Sequence, residues 1–172
     1  MDKIPKRKPM RLKNFDYSLD GAYFITICSK DRKQIFSKVI KSTDNVGANI
    51  VRLLPIGKIV EENINNIEAV YPCVKIINYI IMPNHIHMIL SIDTNGQTMF
   101  APTVARVIKQ FKGVVSKQVG FPVWQRNFYD HIIRNENDLE EKMNYIFFNA
   151  QKWEEDEYYE NERKEKYYAM GI

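Results

Sequence analysis

Runs of apolar residues separated by polar turns divide the chain into predicted strands. The aromatic and β-branched segment at residues 22–28 predicts the first strand, and residues 50–53 predict a short one. Two longer strands are predicted at residues 73–82 and 86–92. Because the Pro-Asn pair between them is typical of a turn, these two strands are expected to form a hairpin.

Helical spacing of apolar residues predicts three helices. The first covers residues 55–69 and starts at a proline, the second covers 102–119, and the third covers 138–153. Asn137 followed by Glu140 resembles a capping box at the start of the third helix. The stretch VWQRNFYDHIIRN between the last two helices is predicted to be irregular. The apolar side of the second helix is formed by Val104, Val107, Ile108, Phe111, Val114 and Val115.

The main elements therefore follow the order strand, helix, strand, strand, helix, helix. This order predicts an α+β fold, and specifically a ferredoxin-like antiparallel sheet with helices packed mainly on one face. A chain of 172 residues is one domain by size. We expect a basic N-terminal arm over residues 1–20, a single domain over 21–153 and a charged C-terminal tail over 154–172.

Composition is that of an ordinary globular protein and argues against several other classes. No apolar run approaches the roughly 20 residues of a membrane span. The basic N-terminus lacks the apolar stretch of a signal peptide, which predicts a cytoplasmic protein. Cys28 and Cys73 both lie in apolar runs, so free thiols are favoured over a disulfide. The absence of a Cys-x-x-Cys pair argues against a structural zinc site.

Positive charge is concentrated at the N-terminus. The chain carries a net charge of +4, and its first segment is crowded with basic residues that include Lys6, Arg7, Lys8 and Arg11. A basic arm of this kind suits binding to a polyanion. Charge alone leaves open the alternative of a solvated tail with no ligand.

The segment PNHIHMIL carries the first sign of chemistry. His85 and His87 are two residues apart, so on a strand both imidazoles point to one face. Two neutral imidazoles in this position are well placed to bind one divalent cation. An isolated His-x-His is more often structural than metal-binding. Metal binding gains support here because two of only three histidines lie together, directly after a turn.

The segment KMNYIFFNAQKW carries the second sign. On a helix, Tyr145 and Asn149 are four residues apart and stack on one face, flanked by Lys142 and Lys152. That face lies roughly 120° around the helix from the apolar stripe. With ten tyrosines in the chain, the simpler interpretation of Tyr145 is a surface residue; its amide neighbour sets it apart. The stripe expected to face the core consists of Leu139, Met143, Ile146, Phe147 and Ala150.

Together these segments resemble the REP-associated tyrosine transposases, which belong to the single-tyrosine HUH transposases. The resemblance covers most of the chain and rests on AYFITIC, DRKQIF, LLPIGKIVEENI, YIIMPNHIHMIL, WQRNFYDHIIRN and YIFFNAQKW in this order. One departure is visible, because the family commonly has Asn-Pro after the tyrosine and here Asn149 is followed by Ala150. This change is expected to let the helix continue further, and it removes no reacting group.

The resemblance implies an enzyme that cleaves and rejoins single-stranded DNA through a 5′-phosphotyrosine intermediate. Tyr145 matches the family's nucleophile, and the ligands of a Mg²⁺ or Mn²⁺ ion are matched by His85, His87 and Asn149. The implied partner is single-stranded DNA that carries a hairpin, as in repeated extragenic palindromes. Similarity to the REP-associated group also favours a monomer over a dimer.

DNA contacts are expected around the two chemical segments and from the basic arm. Arg126 and Arg134 are expected near the site, and Lys142 and Lys152 beside the tyrosine. His131 is interpreted as structural or DNA-contacting and not as a third metal ligand. The candidates for stacking on unpaired bases are Trp124, Phe128 and Tyr129, with core packing favoured for the tryptophan.

Two other functions stay open on the residues alone. A non-catalytic module that binds single-stranded nucleic acid on the same sheet would use the aromatic and basic residues without a metal. A metal hydrolase would use the histidines to activate water, and it is disfavoured because the HIH segment holds no carboxylate that acts as a base. A covalent protein–DNA adduct that is lost on Tyr145→Phe separates both from a transposase.

Overall fold

The structure, a computed structural model, describes residues 20–41, 49–94 and 102–155. Its strands are Gly21–Cys28 (β1), Ser37–Ile40 (β2), Ile50–Leu53 (β3), Val74–Ile81 (β4), His85–Ile92 (β5) and Tyr129–Ile133 (β6). Its helices are Pro55–Asn65 (α1), Ile67–Val70 (α2), Val104–Val119 (α3) and Glu136–Phe148 (α4), with short 3-10 turns at Lys30–Arg32 and Trp153–Glu155. Nearly all of the predicted basic arm and C-terminal tail lies outside the described residues, so their boundaries stay predictions.

Four strands form one antiparallel sheet in the spatial order β4, β5, β1, β6. Along the chain, the sheet and its main helices follow the order β1, α1, β4, β5, α3, β6. This β-α-β-β-α-β order, with its first and third strands in the centre of the sheet, is the ferredoxin-like arrangement. The predicted α+β, ferredoxin-like fold is therefore confirmed, and the predicted hairpin is β4 and β5.

Two strands of the described chain were missing from the prediction. β6 lies in the stretch predicted to be irregular, and it pairs with β1 at one edge of the sheet. β2 pairs with β3 in a separate two-stranded ribbon. Edge and ribbon strands are short and often carry charged residues, as YDHII and SKVI do. Their hydrophobic pattern is therefore weaker than that of the central strands.

One face of the sheet carries the main core. Ile25 of β1 and Met88 and Leu90 of β5 are 0% exposed, and they belong to the same apolar cluster as Val60 of α1 and Ile108 of α3. Burying an aliphatic side chain of this size contributes about 1.5–3 kcal/mol to stability. This face therefore supplies most of the stabilisation that holds the sheet and its helices together.

The opposite face of the sheet is covered by α4. Phe24 and Ile89 form a second, smaller apolar cluster with Ile146, and Met143 and Leu139 pack against it. The helices therefore pack mainly on one face, as predicted, because α1, α2 and α3 share the main core, and α4 alone lies on the other side. The apolar stripe of α4 is also narrower than predicted, since Phe147 is 69% exposed.

The helix boundaries differ from prediction at two asparagines. The single helix predicted over residues 55–69 is interrupted at Asn66, where a new short helix begins. α4 begins earlier than predicted because its N-cap is Asn135, whose side chain accepts a hydrogen bond from Asp138 N. The capping box predicted at Asn137 and Glu140 is therefore wrong.

The C-terminal end of α4 was also predicted wrongly. The helix ends at Phe148 with Asn149 as its C-cap, although no proline follows. Ala150 O instead accepts a hydrogen bond of 2.9 Å from Nδ2 of Asn49, the residue directly before β3. A long-range contact, which is invisible in the local sequence, therefore accompanies the end of this helix.

The β2–β3 ribbon is fixed to the start of α1 at a glycine. A Cβ atom on Gly57 would lie 1.9 Å from the carbonyl oxygen of Phe36, so no side chain fits there. Leu54 N donates a hydrogen bond of 2.8 Å to that same carbonyl. Through this junction, the ribbon that carries Asn49 is attached to the main core.

No helix among the described residues is long and apolar enough to cross a membrane. Cys28 and Cys73 are free thiols, as predicted, and each of them is half-buried.

Candidate active site

The two histidines of β5 lie side by side on the face covered by α4. In the antiparallel pairing with β1, His85 is opposite Cys28 and His87 is opposite Thr26. The centroids of the two imidazole rings are 4.5 Å apart. The two side chains are 0% and 1% exposed. The predicted placement of both rings on one face is confirmed, and both are fully enclosed.

Each imidazole is oriented by a hydrogen bond at its Nδ1 atom. His85 Nδ1 lies 2.9 Å from Asn84 Oδ1, and an amide oxygen only accepts, so this Nδ1 donates. His87 Nδ1 lies 2.8 Å from Thr26 Oγ1. With Nδ1 occupied in both rings, Nε2 is the atom that each ring presents to a ligand. Partners of this kind commonly set the tautomer and ring orientation of metal-binding histidines.

Burial keeps both histidines neutral. Desolvation lowers the pKa of His87 to about 3. Desolvation also lowers the pKa of His85 well below its ordinary value, and electrostatic interactions with His87 and with the positive charge of Arg32 act in the same direction. A neutral imidazole has a lone pair for a cation, so protons do not compete for this site at neutral pH.

Tyr145 of α4 lies directly against this pair. The centroid of its ring is 5.1 Å from that of His87 and 5.8 Å from that of Phe24, both in edge-on geometry. The tyrosine side chain remains 42% exposed. The helix tyrosine and the strand histidines therefore meet within the same chain, and the phenol is open to a solvent-borne substrate.

The turn after α4 closes the other side of the histidine pair. Asn149 is 4% exposed and lies one turn beyond Tyr145. Trp153 is 6% exposed, and its ring centroid is 5.9 Å from that of His85. Tyr145 contacts His87 and Trp153 contacts His85. In the sequence, the buried Asn149 lies between these two contacting residues.

The chemistry of this donor set suits a hard or borderline divalent cation. Two imidazole nitrogens and one amide oxygen are neutral ligands, and they leave coordination positions for water or phosphate oxygens. Within the described ranges, no group of three or more His, Cys, Asp or Glu side chains is placed to hold a metal. A site here would depend on Asn149 as its third ligand and on oxygens from the substrate.

A groove of about 780 Å³ opens beside the pair. Thr26, the hydrogen-bond partner of His87, forms part of its wall, as do Arg126 and the exposed Tyr129. Lys30 and Arg32 also line it. The groove is therefore basic and aromatic, and Thr26 connects its wall to His87.

The comparison with known proteins assigns the family. The family model described as "Transposase IS200 like" matches residues 18–147 of this chain. The chain belongs to the IS200-like transposase family. The enzyme prediction is thereby confirmed at the level of DNA cleavage and strand transfer.

Individual relatives agree with this assignment. The transposase is 32% identical over 177 residues to an uncharacterized protein of Haemophilus influenzae, covering 91% of this chain and 94% of that one. It is 26% identical over 148 residues to a protein of the same organism that is named as a proposed REP-associated tyrosine transposase, covering 80% and 74%. The predicted resemblance to the REP-associated group is confirmed.

A solved structure shares the fold of this transposase. It is described as the REP-associated tyrosine transposase bound to a REP hairpin, and the match has a TM-score of 0.59 at 21% identity. The match covers 83% of this chain and 74% of that chain. The likeness supports the observed arrangement of sheet and helices.

The structure separates the predicted DNA-binding residues of the transposase. Arg126 is exposed on the groove, whereas Arg134 follows β6 at the far end of the sheet. At about 3.3 Å per strand residue, it is about 16 Å beyond Tyr129 along the strand. The expectation that both arginines lie near the site is wrong for Arg134. Lys6, Arg7, Lys8 and Arg11 lie outside the described residues.

The two lysines predicted beside the tyrosine also differ. Lys142 is half-buried on α4, one turn before Tyr145, and its Nζ is 2.7 Å from Glu141 Oε1. Lys152 is exposed in the turn after the helix, so it does not share a helical face with Tyr145. The prediction that both flank the tyrosine on one helix is therefore wrong for Lys152.

His131 has a structural partner, in agreement with the interpretation from sequence. Its Nε2 lies 2.9 Å from both carboxylate oxygens of Asp138, in the first turn of α4. The pair joins β6 to the start of the tyrosine helix. Trp124 is 8% exposed and packs against Phe36 and Phe111, so core packing is confirmed for this residue.

Several residues of the site were not found from the sequence. Thr26 and Asn84 orient the histidines, and Trp153 covers one of them. Asn84 adjoins His85 in the chain, which is a signal that local inspection could have used. Thr26 and Trp153 reach the site only through strand pairing and the turn after α4.

Proposed function

We propose that this transposase nicks and reseals single-stranded DNA with Tyr145 as the nucleophile. The observation that carries the proposal is the contact of the Tyr145 ring with His87, at 5.1 Å between centroids, beside a second buried histidine. A tyrosine, two neutral imidazoles and an amide gathered in one place suit transfer of a phosphoryl group.

We assign a divalent-metal role to His85, His87 and Asn149, with Mg²⁺ or Mn²⁺ as the candidates. The fit rests on the two oriented, neutral imidazoles and on the buried amide oxygen of Asn149. When bound, the cation supplies Lewis-acid polarisation of the scissile phosphate. Thr26 and Asn84 would keep the rings in the orientation that this binding needs.

The proposed step conserves the number of phosphodiester bonds. Tyr145 Oη attacks phosphorus, the bond from phosphorus to the 3′-oxygen breaks, and its electron pair leaves on that oxygen. The 3′-oxygen takes up a proton, and the phenol loses its proton to solvent. A phenol with a pKa of about 10 is a weak nucleophile, so nearby positive charge such as Lys142 would help by stabilising the phenolate. Attack of a 3′-hydroxyl on the phosphotyrosine then reseals DNA without a nucleotide cofactor.

The proposed substrate is single-stranded DNA that carries a hairpin. The solved relative is described as bound to a REP hairpin. In this chain, the groove combines a basic residue, Arg126, with the exposed aromatic side chain of Tyr129. Cations of this kind bind the phosphate backbone, and aromatic rings stack on unpaired bases.

The test uses single-stranded oligonucleotides that cover a repeated extragenic palindrome of the host genome. The label is placed at the 3′ end, because the 5′-phosphate of that fragment stays on the protein. Wild type with Mn²⁺ is expected to form a labelled covalent band on a denaturing gel. EDTA is expected to remove the band, and added Mn²⁺ to restore it. Tyr145→Phe should abolish it while the affinity for DNA changes less than about threefold, since the aromatic ring remains.

Tyr129→Phe is the matched control, because this tyrosine is also exposed and lines the groove that includes Thr26. It should keep the band. A band of normal intensity in Tyr145→Phe would show that another residue is the nucleophile. Free 5′-phosphate ends without any adduct would favour the metal hydrolase, and DNA binding without cleavage would favour the binding module.

A further inference from the structure

A segment with unusual backbone geometry lies at the edge of the groove. Asp31 and Arg32 have φ values of 57° and 53°. Left-handed backbone is unfavourable for residues with a Cβ atom, and two such residues in succession are uncommon. Neither position is a glycine, which would adopt this conformation at little cost. Backbone strain of this kind persists where the surrounding structure holds it, and it is frequent at functional sites.

Hydrogen bonds on both sides hold this segment in place. Ser29 N donates to Asn84 O at 2.8 Å, and Lys30 N donates to Val123 O at 2.7 Å. Ser29 Oγ donates to Lys33 O at 2.8 Å. The segment is thus tied both to the residue that precedes His85 and to the loop that leads into β6. These ties fix the segment relative to the histidine pair.

The held segment places Arg32 on the wall of the groove. This residue is half-buried and lines the groove together with Thr26 and Tyr129. Thr26 is the hydrogen-bond partner of His87, so Arg32 shares a groove with a residue that contacts the histidine pair. Lys30 in the same segment and Arg126 also line the groove, and both are exposed.

We propose that Arg32 binds the scissile phosphate of single-stranded DNA and stabilises its negative charge during attack by Tyr145. This assignment rests on the proposed function, because it names a further residue for the same reaction. The planar guanidinium offers paired N–H donors that match two phosphate oxygens. A held, half-buried donor at the point where charge develops is more effective than a flexible surface lysine. The left-handed backbone conformation of this segment, which glycine can also adopt, then places this donor.

The proposal is tested by two glycine variants of adjacent residues. Arg32→Gly removes the guanidinium and also relieves the left-handed backbone, so it should melt at or above the temperature of wild type. At saturating DNA and Mn²⁺ it should form the covalent adduct about 100-fold more slowly. Asp31→Gly relieves the neighbouring strained position and keeps the guanidinium. It should therefore be as stable as wild type or more stable and react within about twofold of the wild-type rate, since no phosphate donor is lost.

A third variant tests the chemistry of the side chain. Arg32→Lys keeps one positive charge and the backbone strain but loses the paired donors, and an intermediate rate is expected, about tenfold below wild type. An Arg32→Gly enzyme that reacts within threefold of wild type would overturn the assignment, as would equal rates for the lysine and glycine variants. A melting temperature of Arg32→Gly below that of wild type would contradict the claim that the backbone at this position is strained.

Adduct formation by the Tyr145 and Arg32 variants shows whether the proposed function or only the role of Arg32 has failed. An adduct that survives Tyr145→Phe overturns the nucleophile and leaves Arg32 without its reaction. An adduct that needs Tyr145 but forms at full rate without Arg32 overturns only the inference about the arginine.

Discussion

The two faces of strand β5 are equally buried and serve different purposes. On one face, Met88 and Leu90 are 0% exposed under α1 and α3, in the main apolar cluster. On the other, His85 and His87 are 0% and 1% exposed, and the cover is the single helix α4 with the turn that follows it. Burial on the first face stabilises the fold. Burial on the second face keeps two imidazoles neutral and oriented, as cation binding requires.

The helices on the two faces also differ in the contacts that attach them to the sheet. α4 contacts the sheet through a small apolar cluster that contains Ile146 and through the His131–Asp138 pair. The turn after α4 accepts the hydrogen bond from Asn49. An element with little apolar burial opens locally at lower free energy than a central strand. The face of the sheet that carries the histidines is therefore expected to be the less stable one.

The largest stability effect is expected from two neighbouring truncations on opposite faces. Leu90→Ala should lower the free energy of unfolding by about 4 kcal/mol, because a cavity in a rigid core cannot collapse. Ile89→Ala should cost about 2 kcal/mol, because α4 can settle toward the gap. Both are measured by urea unfolding. Ile89→Ala should also slow adduct formation at saturating DNA, whereas Leu90→Ala should not. Equal costs and equal rates would show that the two faces are equally rigid.

Acidification tests the histidine face alone. In the unfolded chain, His87 has the ordinary value of 6.5 and binds a proton below it, whereas burial lowers the pKa of the folded protein's ring to about 3. Between these pH values the unfolded state binds more protons than the folded state. The contribution of neutral His87 to the free energy of unfolding is therefore fully present above pH 6.5 and decreases as the pH falls below it. The slope for one such group is at most about 1.4 kcal/mol per pH unit.

This prediction is measured by urea unfolding in EDTA between pH 7 and pH 5. The variant His87→Gln keeps an amide in place of the ring and should show a flatter dependence on pH than wild type. Indistinguishable slopes for the two proteins would mean that His87 does not remain neutral in the folded state.

Thr26→Val tests the orientation of His87 without touching the ring. The loss of the hydroxyl 2.8 Å from His87 Nδ1 is expected to weaken Mn²⁺ binding by about 10-fold to 100-fold, as for other partners of metal-binding histidines. Isothermal titration of the protein with Mn²⁺ gives the affinity. Thr26→Ser keeps the hydroxyl and should bind Mn²⁺ nearly as wild type does. Unchanged affinity in the valine variant would contradict the role of Thr26.

The smallest effect is expected at the turn after α4. Asn49→Ala removes the hydrogen bond to Ala150 O and should cost about 1 kcal/mol of stability while also weakening Mn²⁺ binding, because Asn149 adjoins that turn. Asn63→Ala is a matched control, since Asn63 donates to Ile59 O on the opposite side of the sheet. It should change stability by a similar amount and leave Mn²⁺ affinity unchanged. Equal Mn²⁺ affinities for both variants would remove the link between the ribbon and the site.

Prediction from the sequence succeeded where the spacing of apolar residues within one strand shows which side chains share a face. The alternation in HIHMIL placed His85 and His87 on one face, and the strands with strong apolar runs were found. Prediction failed at β6 and β2, whose short polar sequences carry little hydrophobic signal. It also failed at the end of α4, where Asn49 contacts Ala150 across 101 residues of sequence.

The sequence by itself determined which groups are present and which of them share a face of one element, because strand and helix periods are local properties. It was sufficient for the α+β class and for the family. Only the tertiary structure decided that α4 crosses the histidine face of its own chain, that Trp153 turns back onto His85, and that Arg32 lines the same groove as Thr26. These placements depend on long-range packing and strand pairing, which leave no fixed spacing in the sequence.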